Sequence, residues 1–333
     1  MMGFEGSCAK VVVSGAAGQV GYALLPLIAG GRMLGYKQHL QLNLLDIEPA
    51  MKCLEGIRAE LMDCAFPLLD RVVITHEPAV AFENVDFAIL CGSFPAKPGT
   101  LRRDLLQKNA AIFSEHGRLL GELAHKDCHV CVVGNPANTN ALILLNASNG
   151  KIKPKNVSAL TRLDHNRSLA LVAERANAHV RDVKNCIIWG NHSGTQVPDV
   201  NSATVRGVPV REAIKDDAYL DGEFMTTVQQ RGYEIIRWRG NSSALSAANA
   251  AVDQVHDWIL GTPAGTHVSM AVYSDGNPYG VPPGLIFSFP VTCSGGEWHF
   301  VENACVTPSV AKHLAATTKE LEEERSESVS FVL

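Results

Sequence analysis

The first 150 residues alternate short apolar runs with longer stretches of mixed character. Residues 10–14 (KVVVS) are nearly all apolar and run straight into Gly15, as a strand buried on both faces should. Residues 39–46 (HLQLNLLD) alternate and then turn fully apolar, and 72–74, 87–91 (FAILC) and 130–133 (VCVV) follow as further strands. Between them, residues 20–28, 52–62 and 104–124 space their apolar positions as helices do. Strand and helix in strict alternation predict an α/β fold, a doubly wound parallel sheet with helices on both faces.

A lysine-bearing loop at 151–155 (KIKPK) closes this half, placing a domain boundary between 1–155 and 156–333. The second half mixes element types and predicts an α+β domain. It opens with a helix over 163–178, followed by a polar-tipped loop at 190–199 and one long helix over 220–251. A strand region punctuated by Gly and Pro spans 261–305. A last helix from Val310 carries an acidic run at 319–325 (KELEEER), which reads as a solvated face.

Composition narrows the class. A chain of 333 residues is long enough for two cores, and 46% hydrophobic with 19% charged residues is a globular balance. The net charge of −5, without basic blocks, leaves no electrostatic footprint for nucleic acid. No stretch approaches the roughly 18 apolar residues of a membrane helix, and the first ten residues do not read as a secretory signal. Nine cysteines, an odd count, fit reduced thiols in the cytoplasm better than a disulfide framework. Cys128 and Cys131 (CHVC) run into an apolar strand, where residues three apart face opposite ways, so no metal site is expected there.

Gly15, Gly18 and Gly21 (GAAGQVG) follow the first strand and open the first helix. Such glycines allow a tight turn, close approach of backbone to a pyrophosphate, and close packing of helix on strand. The helix N-terminus then offers free N–H groups to the phosphates. Asp46 closes the second strand 25 residues after Gly21, where a carboxylate accepts both ribose hydroxyls and repels a 2′-phosphate. The cofactor expected is therefore NAD.

Hydride exchange with a secondary alcohol also needs a proton acceptor. His192 stands on a short loop between Gly190 and Gly194 (GNHSG) and has the pKa range for the task. Asp164, in 161–167 (TRLDHNR), is the carboxylate expected to orient it. Arg167 lies three residues further on the same helical face and can grip a substrate carboxylate bidentately. Arg102, in the loop 93–104 (SFPAKPGTLRRD), can polarise a ketone when the loop closes.

These segments, together with LLDIEPAM, VVGNPANTN and IIWGNHSGTQVPDV, resemble the cytosolic malate dehydrogenases from about Lys10 to Ser326. The resemblance implies a Rossmann half plus an α+β catalytic half, as in lactate and malate dehydrogenases. It also implies homodimers acting on a small 2-oxo or 2-hydroxy acid. It places Asn135 among the substrate contacts, and Gly15, Gly18, Gln19, Gly21, Asp46, Asn109, Val133 and Asn135 around NAD. His192, Asp164, Arg167 and Arg102 take the catalytic roles already assigned.

One position departs from the family. Where its mobile loop reads R-[KR]-x-G-M-x-R, this chain has Ala96-Lys97-Pro98-Gly99-Thr100-Leu101-Arg102. The missing arginine pairs with the second carboxylate of oxaloacetate in that family, so Ala96 predicts a loss on dicarboxylates of at least about a hundredfold. With Thr100 and Leu101 it predicts a less polar pocket; Trp238, Ser242 and Ser246, on one face of the long helix, are candidates for its lining, with core packing the favoured reading of Trp238. That combination resembles the aromatic L-2-hydroxy acid dehydrogenases and leads to an expected substrate of the phenylpyruvate type. The alternative is malate and oxaloacetate, with the Lys97 ammonium serving the second carboxylate.

Overall fold

The computed structural model describes residues 8–94 and 102–332, with side chains for 8–94 and 104–328. The first half runs β1 (Ala9–Ser14), α1 (Gln19–Ala29), β2 (Leu40–Leu45), α2 (Met51–Asp63), β3 (Leu69–Thr75), α3 (Pro78–Phe82), β4 (Phe87–Leu90), α4 (Arg102–Leu123), β5 (His129–Val132), α5 (Ala137–Ala147) and β6 (Val157–Ala159). These six strands are all parallel, in the order β3-β2-β1-β4-β5-β6. Side chains alternate across the strands. Val11 and Val13 enter one core with α1, α2 and an alanine-rich helix from the second half, while Val12, Leu90 and Val132 enter the other with α3, α4 and α5. Both faces are thus buried, which is why the strands read as unbroken apolar runs. Cys131 packs into the first core and Cys128 into the second.

The second half runs α6 (Arg162–Arg175), β7 (Val183–Lys184), β8 (Ile187–Trp189), β9 (Val197–Asp199), β10 (Thr204–Val205), β11 (Val208–Pro209), α7 (Val210–Ile214), α8 (Phe224–Arg239), α9 (Leu245–Leu260), β12 (Val268–Tyr273), β13 (Ile286–Ser294), β14 (Glu297–Phe300) and α10 (Pro308–Val332). It builds no separate main sheet. β12 pairs antiparallel with β6 and is followed by β13 and β14, giving one continuous nine-stranded sheet across both halves. The expected Rossmann-type sheet followed by α+β structure therefore holds, with the two parts joined edge to edge. Trp189, Trp258, Phe287 and Phe289 fill the core of the second half.

The single long helix expected over 220–251 is two. α8 ends at Gly240, in the left-handed conformation, and α9 starts at Leu245. Trp238 is 60% exposed on α8, Ser242 lies between the helices and Ser246 on α9, so the three do not share one helical face. The acidic run on α10 is not wholly solvated either. Val310, Leu314, Thr317, Leu321, Glu324 and Ser328 are all buried, and their four-and-three spacing is a single helical stripe. Glu324 falls on it.

Candidate active site

The C-terminal ends of β1, β2, β4, β5 and β6 open on one side of the sheet, and the strand order reverses between β1 and β4. Ligands of such sheets bind at that point. Gly15 ends β1 at φ +65°, and a Cβ there would stand 2.7 Å from the Gly92 backbone. A Cβ on Gly21 would stand 2.3 Å from the Gly15 carbonyl oxygen. Only glycine permits this crossing of helix over strand. Gly18 precedes α1, and no side chain caps the helix among the described residues, so the first-turn N–H groups of Gln19 and its neighbours are of the kind that can receive a phosphate.

Asp46 stands at the end of β2. Its Oδ2 accepts from the Ala17 amide (2.9 Å) and its Oδ1 from the Ile47 amide (2.8 Å). Each carboxylate oxygen keeps a lone pair for a ribose hydroxyl. Val133 follows β5 and is tied by its amide to the Leu90 carbonyl. Asn135, next along, has an exposed side chain and a carbonyl that accepts from Asn109 Nδ2 (3.1 Å). Asn109 is fully buried on α4, and its Oδ1 accepts from the Phe94 amide (2.8 Å). It thus braces both edges of the cradle. The glycine crossing, the open helix end and Asp46 fit NAD.

The catalytic candidates converge in the second half. Asp164, in the first turn of α6, has no exposed surface. Its Oδ2 lies 2.5 Å from His192 Nδ1, and its Oδ1 accepts from Arg167 Nη1 (2.9 Å), one turn along the helix. Burial by itself pushes the Asp164 carboxyl up, but the His192 imidazole and the Arg167 guanidinium hold it below its ordinary value. It is therefore a carboxylate bonded to Nδ1 of the ring, an arrangement that can fix an imidazole with its Nε2 left for proton exchange. His192 keeps 18% of its side chain exposed, enough to reach a ligand. Arg167 Nη2 donates to Ser243 Oγ (3.1 Å), while its buried Nε has no partner among the described residues. Arg102 is the first residue of α4; its side chain, and Ala96, Lys97, Gly99, Thr100 and Leu101 entirely, lie outside the described residues.

Two residues missed in the sequence complete the arrangement. Asn138 is fully buried on α5; its Oδ1 accepts from the His192 amide (3.0 Å), and its Nδ2 reaches the carbonyls of Ile286 (2.9 Å) and Gly190 (3.2 Å). It sits in GNPANTN beside Thr139 and Asn140, which are buried as well, and nothing in the sequence sets it apart from them. Ser243, beside Arg167, sits in the break between α8 and α9 and is likewise unmarked.

Comparison with known proteins accounts for this architecture. Residues 9–158 match the NAD-binding domain of lactate/malate dehydrogenases, and residues 161–332 match their alpha/beta C-terminal domain. The chain is 54% identical to a cytoplasmic malate dehydrogenase of Zea mays, over 95% of this chain and 96% of that one. Against the cytoplasmic enzyme of Caenorhabditis elegans the identity is 50%, covering 96% of each. The crystal structure of malate dehydrogenase from Naegleria fowleri superposes with TM-score 0.93 at 43% identity, covering 97% of this chain and 98% of that one. A Trichomonas vaginalis lactate dehydrogenase in complex with NADH and oxamate gives the same TM-score at 37% identity, covering 98% and 99%.

The malate dehydrogenase matches overturn the expectation of an aromatic L-2-hydroxy acid dehydrogenase acting on phenylpyruvate-type acids. That expectation rested on Ala96, Thr100 and Leu101 in the loop; the alternative kept beside it, malate and oxaloacetate with Lys97 at the second carboxylate, is the reading that the matches favour. Lys97 carries a cation on the adjacent residue, on a stem long enough to search for an anion. Coverage of both halves, the NAD cradle and the His192–Asp164–Arg167 cluster establish that this chain belongs to the lactate/malate dehydrogenase family, within its cytosolic malate dehydrogenase branch, and is an NAD-dependent oxidoreductase acting on a CH–OH group.

Proposed function

We propose that this enzyme interconverts malate and oxaloacetate in the cytoplasm. The observation that carries this reading is the full-length similarity to cytoplasmic malate dehydrogenases, with the proton-handling cluster intact. NAD, when bound, supplies the acceptor for the hydride leaving the alcohol carbon. His192 Nε2 takes the hydroxyl proton, and the Asp164 carboxylate stabilises the imidazolium that results. Arg167 pairs with the carboxylate beside the reacting carbon through the N–H donors of its guanidinium. Asn135 and Arg102 complete the substrate contacts, and the Lys97 ammonium serves the second carboxylate.

The same reading implies a homodimer. Tyr22, Leu61 and Leu245 line an apolar groove of about 510 Å³ between α1, α2 and α9, with Leu245 80% exposed. A second copy is the occupant that fits, and light scattering on purified protein measures it.

The test of the substrate is direct. NADH consumption is compared with oxaloacetate, pyruvate and phenylpyruvate, and oxaloacetate should give the highest kcat/KM by a wide margin. Lys97→Ala should then raise the KM for oxaloacetate and leave that for pyruvate unchanged. A preference for pyruvate or phenylpyruvate in the unaltered protein would refute the proposal.

A further inference from the structure

His192 is gripped from a third side. Beyond Asp164 on α6 and Asn138 on α5, the residues flanking it are bound to the C-terminal helix α10. Glu320 Oε2 accepts from Asn191 Nδ2 (2.8 Å), Ser193 Oγ (2.5 Å) and Thr195 Oγ1 (2.6 Å). One turn on, Glu324 accepts from the Thr139 hydroxyl on α5 and from Asn191 Nδ2 (3.3 Å). Thr317, one turn back, accepts from the Asn191 amide (2.9 Å). The helix presses so close that a Cβ on Gly190 would stand 2.3 Å from Thr317 side-chain atoms.

We infer that Glu320 is a positioning residue for proton transfer, and that α10 forms the third wall of the catalytic loop through it. The reasoning is geometric. The loop 190–196 has little core of its own, so its shape depends on its polar contacts. Three donors, one on the residue before His192 and two just after it, converge on a single carboxylate oxygen. The charged oxygen holds these three donors about twice as strongly as the neutral amide oxygen of a glutamine in the same place would, so removing the charge alone loosens the loop. A misplacement of His192 by about 1 Å costs on the order of a hundredfold in rate. NAD binds at the ends of β1 and β2, on the other half of the chain, and does not depend on this contact.

The inference rests on His192 as the proton acceptor, and the experiment separates the two. It uses the full chain, NADH and whichever 2-oxo acid is turned over fastest. Glu320→Gln should lower kcat by about ten- to a hundredfold, with NADH affinity, read by its fluorescence, unchanged. Ser193→Ala with Thr195→Val removes two donors and leaves the carboxylate, and should produce the same split. Combining all three changes should be no worse than the more impaired of the two parents. A wild-type kcat in Glu320→Gln, or losses that multiply in the combined variant, would overturn the inference. Where Glu320→Gln fails to fold, the loop variant decides alone: wild-type kcat overturns the inference, reduced kcat with intact NADH binding supports it. Activity surviving in His192→Asn would overturn the underlying reading of the site instead.

Discussion

Replacing Asp164 by Asn tests the centre of the site, because it preserves shape and removes one charge. The carboxylate holds two donors at once, His192 Nδ1 at 2.5 Å and Arg167 Nη1 at 2.9 Å, with no access to solvent. An asparagine can accept from only one of them through its oxygen. If its NH2 faces His192, the ring must present a lone pair at Nδ1. The proton then sits on Nε2, where it can no longer take the hydroxyl proton of substrate. Losing the charge-assisted bond to the imidazolium costs about 1.5–3 kcal/mol, or roughly ten- to a hundredfold in rate. The reversed tautomer adds to that, giving an expected fall in kcat of about 10² to 10⁴. The assay is steady-state NADH consumption followed by its near-ultraviolet absorbance, with NADH affinity measured separately and expected to stay unchanged. A kcat within about threefold of wild type in a folded variant corresponds to well under 1 kcal/mol of barrier. That result would refute the assignment of Asp164 as the orienting group.

The cradle and the core give two more predictions. Gly21→Ala places a methyl 2.3 Å from the Gly15 carbonyl oxygen, so the helix must lift; overpacking of about 1–3 kcal/mol should weaken NADH binding by roughly five- to a hundredfold in a fluorescence titration, and unchanged affinity would count against this cradle. Burial pushes His116 and His267 down to about 4. Between that value and the ordinary one near 6.5 the unfolded chain holds more protons than the folded one, so stability is full above about pH 6.5 and falls as pH drops toward 4. Each histidine contributes on the order of 3 kcal/mol to that fall. Urea unfolding at neutral pH and in mild acid should show the loss, and His116→Leu should reduce it; a flat profile would contradict the burial argument.

Much of the first half was legible in sequence because its signals are local. A strand buried on both faces must be apolar throughout, and the turn into α1 can be made only with glycine at Gly15 and Gly21, so both leave marks within a few residues. His192, Asp164 and Arg167 were legible by residue type and by their glycine and helical settings. Asn138 was not, because a buried asparagine bonded to backbone looks in sequence like any other polar residue. The division of one expected helix into α8 and α9 had a local mark in Gly240-Asn241-Ser242-Ser243, a cluster of turn-forming residues that the helical expectation ran through. The substrate expectation weighed a short loop around Ala96 above similarity that runs the length of the chain, and the full-length matches to malate dehydrogenases overturn it.

Local chemistry in the chain determined the parallel sheet, the dinucleotide cradle and the types of group available for proton transfer, because each is imposed within one element and its adjoining turn. Tertiary structure alone decided which of those groups meet. β12, β13 and β14 extend the sheet past β6, and the same folding back lays α10 across the loop of His192. Glu320 and Glu324 belong to an acidic run that reads as a solvated face, yet the register of α10 turns them inward. A helix has one rotational setting against its neighbours, chosen by the whole apolar stripe from Val310 to Leu321, and every polar residue on that side goes in with it.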